Sequence, residues 1–162
     1  MPHTHLATYL KDHDGGSEAA LEILDHLEAA HGTEAAGQMA RTLRPQFLDE
    51  RRQVRTLLES LGESTSVSRR VAGWLSEKAL QVKLLVDDPA GGSLRLLEAV
   101  ETVALGVHGK LGLWKALADN QSAVPALATL QLPPLIAQAE AQRALIETVR
   151  LEAARRVLAD TA

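Results

Sequence analysis

The sequence predicts an all-α protein, a four-helix bundle with a long crossover that carries an additional, shorter helix. Apolar residues recur at alternating steps of three and four over four long stretches, the spacing of helices that bury one stripe. Strand-like alternation is absent, and so is any internal repeat. The composition is 46% hydrophobic with only Tyr9, Phe47, Trp74 and Trp114 as aromatics, which favours helices packed through small and aliphatic side chains. At 162 residues the chain suits a single domain, 1–162, able to bury one sizeable core.

The first helix is expected from about Thr4 to His31, with a seam through Leu6, Leu10, His13, Ser17, Ala20, Leu24, Leu27 and His31. Gly32 then stops it and Thr33 caps a second helix that runs to about Leu61 and Gly62. The second seam is Ala36, Ala40, Leu43, Phe47, Glu50, Val54, Leu57 and Leu61, which places a carboxylate, Glu50, on an apolar stripe. Pro45 inside this run predicts a kink or break near Leu43 to Arg44, because proline removes a hydrogen bond and crowds the preceding turn.

A shorter helix is expected from about Ser66 to Val86, its inward set being Val67, Val71, Trp74, Lys78, Val82 and Leu85. "DDPAGG" breaks the chain, and Ser93 is placed to cap a long helix reaching about Asp119. Two stripes compete there: Leu97, Val100, Ala104, Val107, Leu111 and Trp114, or Leu94, Glu101, Ala104, His108 and Leu111. So wide an apolar face predicts more than one neighbour and suggests a homodimer through this helix. After a weakly helical connection, Pro133-Pro134 opens the last helix, from about Pro134 to Leu158. Its core face contains Leu135 or Ile136, Ala139, Gln142, Ile146, Val149, Ala153 and Val157.

The "HDGGS" stretch at 13–17 is an anomaly, since interior glycine costs roughly 1 kcal/mol relative to alanine. Close approach of a second helix at Gly15 and Gly16 is the favoured explanation, a kink the competing one. Asp12 and Asp14, two apart, should point in different directions and read as solvated surface.

Charge and motifs exclude several function classes. A net charge of −4 gives no broad attraction to nucleic acid, and four rings offer few platforms for bases. The absence of cysteine removes disulfides, thiolate metal sites and cysteine nucleophiles. No run approaches the 18 apolar residues of a membrane span, and the N-terminus lacks the apolar block of a signal peptide, so the expected location is cytoplasmic. Neither a P-loop nor a Gly-x-Ser-x-Gly elbow occurs. Trp74 and Trp114 read as core anchors, with a small apolar ligand between helices as the other reading.

Two long helices, a long connection and two more long helices follow the order of a bundle with one crossover. With "TYLKDHDGGSEAALEIL", "LLEAVETVALGVHGKLGLW" and "LIAQAEAQRALIETVRLEAA", the chain resembles the ferritin-like superfamily over nearly its whole length, in particular bacterial ferritin-like proteins without an assigned activity. The resemblance implies a test. Di-metal members supply one glutamate from each of two helices and Glu-x-x-His from each of the other two. Here the second helix offers Glu50-Arg51-Arg52-Gln53 and the last Glu140-Ala141-Gln142-Arg143, so both histidines are missing. Glu18 and either Glu98 or Glu101 match the single glutamates, and Arg143 would repel a cation.

The expectation is therefore a ferritin-like bundle without a working di-metal centre, acting as a binding or structural protein. A salt-bridge network is expected in its middle, with Glu50 and Glu101 facing Lys78, Arg143 and Arg150. The alternative is a divergent metal-binding oxidoreductase using iron, manganese or zinc at a site drawn from Glu18, Glu50, Glu98, Glu101, His108 and Glu140. His13 and His108 read first as hydrogen-bonded helix residues, and Glu98, Glu101 and His108 as the best remnant of a site.

Overall fold

The computed structural model describes residues 4–64 and 92–159, and all regular structure among them is helical. The described residues form four long helices: α1 (Thr4–His31), α2 (Ala35–Ser60), α3 (Gly92–Asp119) and α4 (Leu132–Ala159). The helix expected at 66–86, with Trp74 and Lys78, and the "DDPAGG" turn up to Gly91 lie outside the described residues.

α1 packs along α2 and α3 along α4, and the two hairpins face each other through α1–α3 and α2–α4. Side-chain pairs fix the directions. Lys11 meets Glu63 and Asp25 meets Arg44, so α1 and α2 are antiparallel. Glu101 meets Arg150 and Lys115 meets Glu140, so α3 and α4 are antiparallel too. Glu34 meets Arg156 and Glu50 meets Gln142, giving the same relation between α2 and α4. The end of α2 thus lies at the opposite end of the bundle from the start of α3, where Leu96 clusters with Ala36 and Ala153. Residues 65–91 connect those two ends.

Local sequence accounts for most boundaries. α2 closes on Gly62 at φ +76°, where the Gly62 amide donates to the Glu59 carbonyl (2.9 Å) and the Glu63 amide to the Leu58 carbonyl (3.1 Å). A left-handed residue at this point favours glycine, as expected of the Leu61-Gly62 stop. Its start differs from expectation: the cap residue is Glu34, which makes no side-chain capping bond, and Thr33 is exposed. The Glu34 carboxylate is taken instead by His31 Nδ1 (2.8 Å) and Arg156 (3.1 Å). α3 begins at Gly92, one residue before the expected cap Ser93.

Of the kink or break expected near Leu43 to Arg44, the break does not occur; α2 runs unbroken through Pro45. Pro45 and Arg41 are both exposed, so the Arg41 carbonyl that loses its helical donor can turn to water. Between α3 and α4 the chain makes a 3-10 turn, Pro125–Leu127, and buries Leu127. Gln121 Nε2 holds this connection by donating to the Leu127 and Leu130 carbonyls at 3.0 and 2.9 Å.

Gly15 is buried, but Gly16 departs from the expected close approach. A Cβ on Gly16 would meet nothing within 4 Å, so no neighbouring helix presses on it. The close approach falls at Gly37, where a Cβ would lie 2.0 Å from the His31 carbonyl oxygen. The tight turn between antiparallel helices creates that constraint, and Gly37 meets it by having no side chain.

Candidate functional site

The apolar core is divided in two. One cluster joins Leu24, Leu27, Met39, Leu43, Phe47, Val100, Val107 and Ile146; the other joins Leu10, Val54, Leu58, Leu111, Trp114, Leu132 and Ala139. Between them lies a polar layer to which every helix contributes: Asp14 from α1, Glu50 from α2 with Gln46, Arg51 and Arg55 beside it, Lys110 from α3 and Gln142 from α4. Asp14, Glu50 and Gln142 are at most 3% exposed, the buried polar residues of the described chain.

Glu50 is the hub of the layer's central half. Lys110 Nζ donates to Glu50 Oε2, and Gln142 Nε2 donates to Glu50 Oε1 at 2.9 Å. The same amide nitrogen reaches Gln46 Oε1 at 2.9 Å. Lys110 Nζ also lies 3.6 Å from the centre of the Phe47 ring, whose electron-rich face attracts a cation. Burial pushes the Glu50 carboxyl up from its ordinary value and Lys110 down, while each charge opposes the shift of the other. Every charge here has a hydrogen-bonded counter-charge, the condition under which ions are tolerated in a core.

The outer half lies between α1 and α2. Asp14 Oδ1 accepts from Arg51 Nε (3.0 Å) and Arg55 Nε (2.8 Å), and Oδ2 accepts from Arg55 Nη2 (3.2 Å). Arg51 Nη2 extends the chain to Glu18 Oε2 at 2.8 Å. Asp14 is therefore core rather than solvated surface: it occupies the stripe of Ala7 and Leu10, and two guanidinium groups neutralise it. Beside it, His13 is half-buried with its ring edge-on to Tyr9 at 4.7 Å between centroids. Burial lowers the His13 pKa, with the nearby Asp12 charge acting against that. Ser17 Oγ turns back to the Asp14 carbonyl at 2.7 Å.

The six residues considered for a metal site are distributed as follows. Glu18 pairs with Arg51, Glu50 with Lys110, Glu101 with Arg150 (3.4 Å) and Glu140 with Lys115 (3.3 Å). Glu98 is half-buried and His108 is exposed on the outside of α3. Among the described residues no three His, Asp or Glu side chains come together as a set able to hold a metal ion. Of the five carboxylates in this set, four face a cation of the chain itself.

The expected internal network takes different partners. Glu50 is buried as a pair member, but its cation is Lys110, whereas Arg143 is exposed at the surface. Lys78 lies outside the described residues, and Arg150 does meet Glu101, but with both side chains partly exposed rather than inside the bundle. Trp114 is a core residue, 1% exposed, as the anchor reading had it. A shallow, open depression over Leu96, Val149 and Ala153 encloses only about 10 Å³, far below the ~300–1,000 Å³ of ordinary ligand pockets.

No family model matches the chain, and no curated protein or solved structure matches it. No helix among the described residues is long and apolar enough to cross a membrane.

Proposed function

We propose that this chain is a ferritin-like helical bundle acting as a binding or structural protein, with an internal ion pair at the level where di-metal members of that superfamily hold their ions. The observation that carries the reading is the Lys110 ammonium seated on the Glu50 carboxylate. A divalent cation at Glu50 would have to displace a positive charge already hydrogen-bonded there and would meet its repulsion. The antiparallel pairing of all four neighbouring helices and the link between opposite ends support the ferritin-like assignment.

The test is elemental analysis of tag-free protein before and after anaerobic loading with Fe(II), Mn(II) and Zn(II), followed by desalting. The expected result is far less than stoichiometric metal in every sample. Stoichiometric retention abolished by Glu50→Gln would overturn the proposal and favour a metal-dependent oxidoreductase.

A further inference from the structure

The apolar face of α3 is mostly consumed inside the bundle, but a second seam runs along its outside. From Leu94 to Lys115 it advances by steps of four and three through Glu98, Glu101, Leu105, His108 and Gly112. Leu105, at the middle of the helix, is 73% exposed and Leu94 is 51% exposed. No described element of the chain covers them. Around Leu105, Gly106, Gly109 and Gly112 are exposed, and a Cβ on any of them would meet nothing within 4 Å. Each weakens the helix relative to alanine without any packing benefit inside the chain.

We infer that this face binds a second copy of the chain, α3 against α3 in antiparallel orientation about a twofold axis passing between Gly106 and Val107. The charge pattern selects the occupant. The N-terminal half of the seam carries Glu98 and Glu101, the C-terminal half His108 and Lys115. An antiparallel twofold brings Glu98 of each copy to Lys115 of the other, whereas a parallel arrangement would set Glu98 against Glu98 and Lys115 against Lys115. With that axis, Glu98 faces Lys115, Glu101 faces Gly112 and Leu105 faces His108, each pair occurring twice. Every one of these pairings joins complementary seam positions, as two antiparallel coiled helices require. The glycines then have a use: Gly109 and Gly112 let the opposing backbone come close enough for Leu105 of the second copy to be covered. Lys115 remains available, since its bond to Glu140 is 3.3 Å long and both side chains are more than half exposed. The inference is independent of the polar layer and of its metal content.

The experiment is sedimentation equilibrium of the full chain at ~1 to 100 µM, where modest, micromolar helix-pair affinities are readable. The expected mass is twice 17.4 kDa. Leu105→Glu should return it to the single-chain mass with unchanged helical circular dichroism. Glu98→Lys should raise the dissociation constant at least about tenfold, and adding Lys115→Glu should restore it, because only a self-pairing face is repaired by that exchange. Single-chain mass for the unaltered protein throughout the range would overturn the inference. So would a dimer that survives Leu105→Glu. A fall in thermal midpoint on Leu105→Glu, with single-chain mass before and after, would also overturn it, by showing that the chain covers this face itself.

Discussion

Lys110 reaches Glu50 across the diagonal of the bundle. Their helices, α3 and α2, do not pack side by side, yet the ammonium on one is hydrogen-bonded to the carboxylate on the other, with Phe47 beneath it. A bond of this kind ties the two hairpins together through the core. Its members were removed from water to make it, so its value depends on both being present.

Replacing one partner should therefore cost more than replacing both. Lys110→Met leaves a buried carboxylate without its counter-charge and should lower unfolding free energy by about 3 kcal/mol. Adding Glu50→Gln removes the charge while keeping a side chain that can bond Gln142, and should recover most of that loss. Urea denaturation of the two single variants and the double variant measures the difference; equal losses in Lys110→Met and the double variant would refute the coupling.

Asp14 should behave differently. Asp14→Ala removes bonds from two guanidinium groups, but Arg55 is 37% exposed and can return to water. The expected loss is about 1.5–3 kcal/mol, that of charged hydrogen bonds rather than of a stranded ion. Arg51→Met, with Asp14 still bonded to Arg55, should cost less than Asp14→Ala in the same denaturation assay.

His13 sets an acid-side dependence. Burial lowers its pKa below the ordinary 6.5, so the folded protein binds the proton less readily than the unfolded chain. The stabilisation is complete above 6.5 and is lost as pH falls through the lowered folded value. Thermal midpoints should decline on acidification from 6.5 down through the lowered folded value and His13 should add no further slope beyond it, and His13→Gln should flatten this part of the profile. An unchanged slope in the variant would assign the effect to other groups.

The glycines divide by what surrounds them. Gly16→Ala fills open space in a helix interior and should stabilise by about 1 kcal/mol. Gly37→Ala drives a methyl group into the His31 carbonyl and should destabilise by about 3 kcal/mol. Opposite signs in chemical denaturation check the assignment; a loss at Gly16 would restore the close crossing there.

Much of this arrangement was legible in the sequence. The α2 seam from Ala36 to Leu57 is buried throughout, including Glu50, and the α4 face from Leu135 to Ala153 is buried with Gln142. Those helices have one narrow apolar stripe each, so the period has a single solution. α3 has apolar residues on several sides: the expected stripe through Leu97 shares Val100, Val107 and Trp114 with the buried one but departs from it at Lys110, and the stripe through Leu94 has only Leu111 buried. The spacing Leu96, Val100, Val103, Val107, Lys110, Trp114, Leu117 keeps the same steps and passes directly through Lys110. A lysine breaks the hydrophobic pattern, which hid the partner of Glu50. Asp14 was hidden likewise: Ala7, Leu10, Asp14, Ser17, Leu21, Leu24 is an unbroken seam whose middle is polar. Partner choice between helices depends on three-dimensional direction, which spacing along one chain does not encode.

The polar layer also decides how the four helices line up lengthwise. Apolar seams repeat every seven residues and would accept several alignments. If α3 slid by one repeat, Val103 would face Glu50, and Lys110 would be driven among Leu10, Leu57 and Leu58. Each such slip strands two charges, so a single alignment remains. Asp14, Glu50, Lys110 and Gln142 thus form an index mark cut across the bundle, by which each rod finds its height against the others.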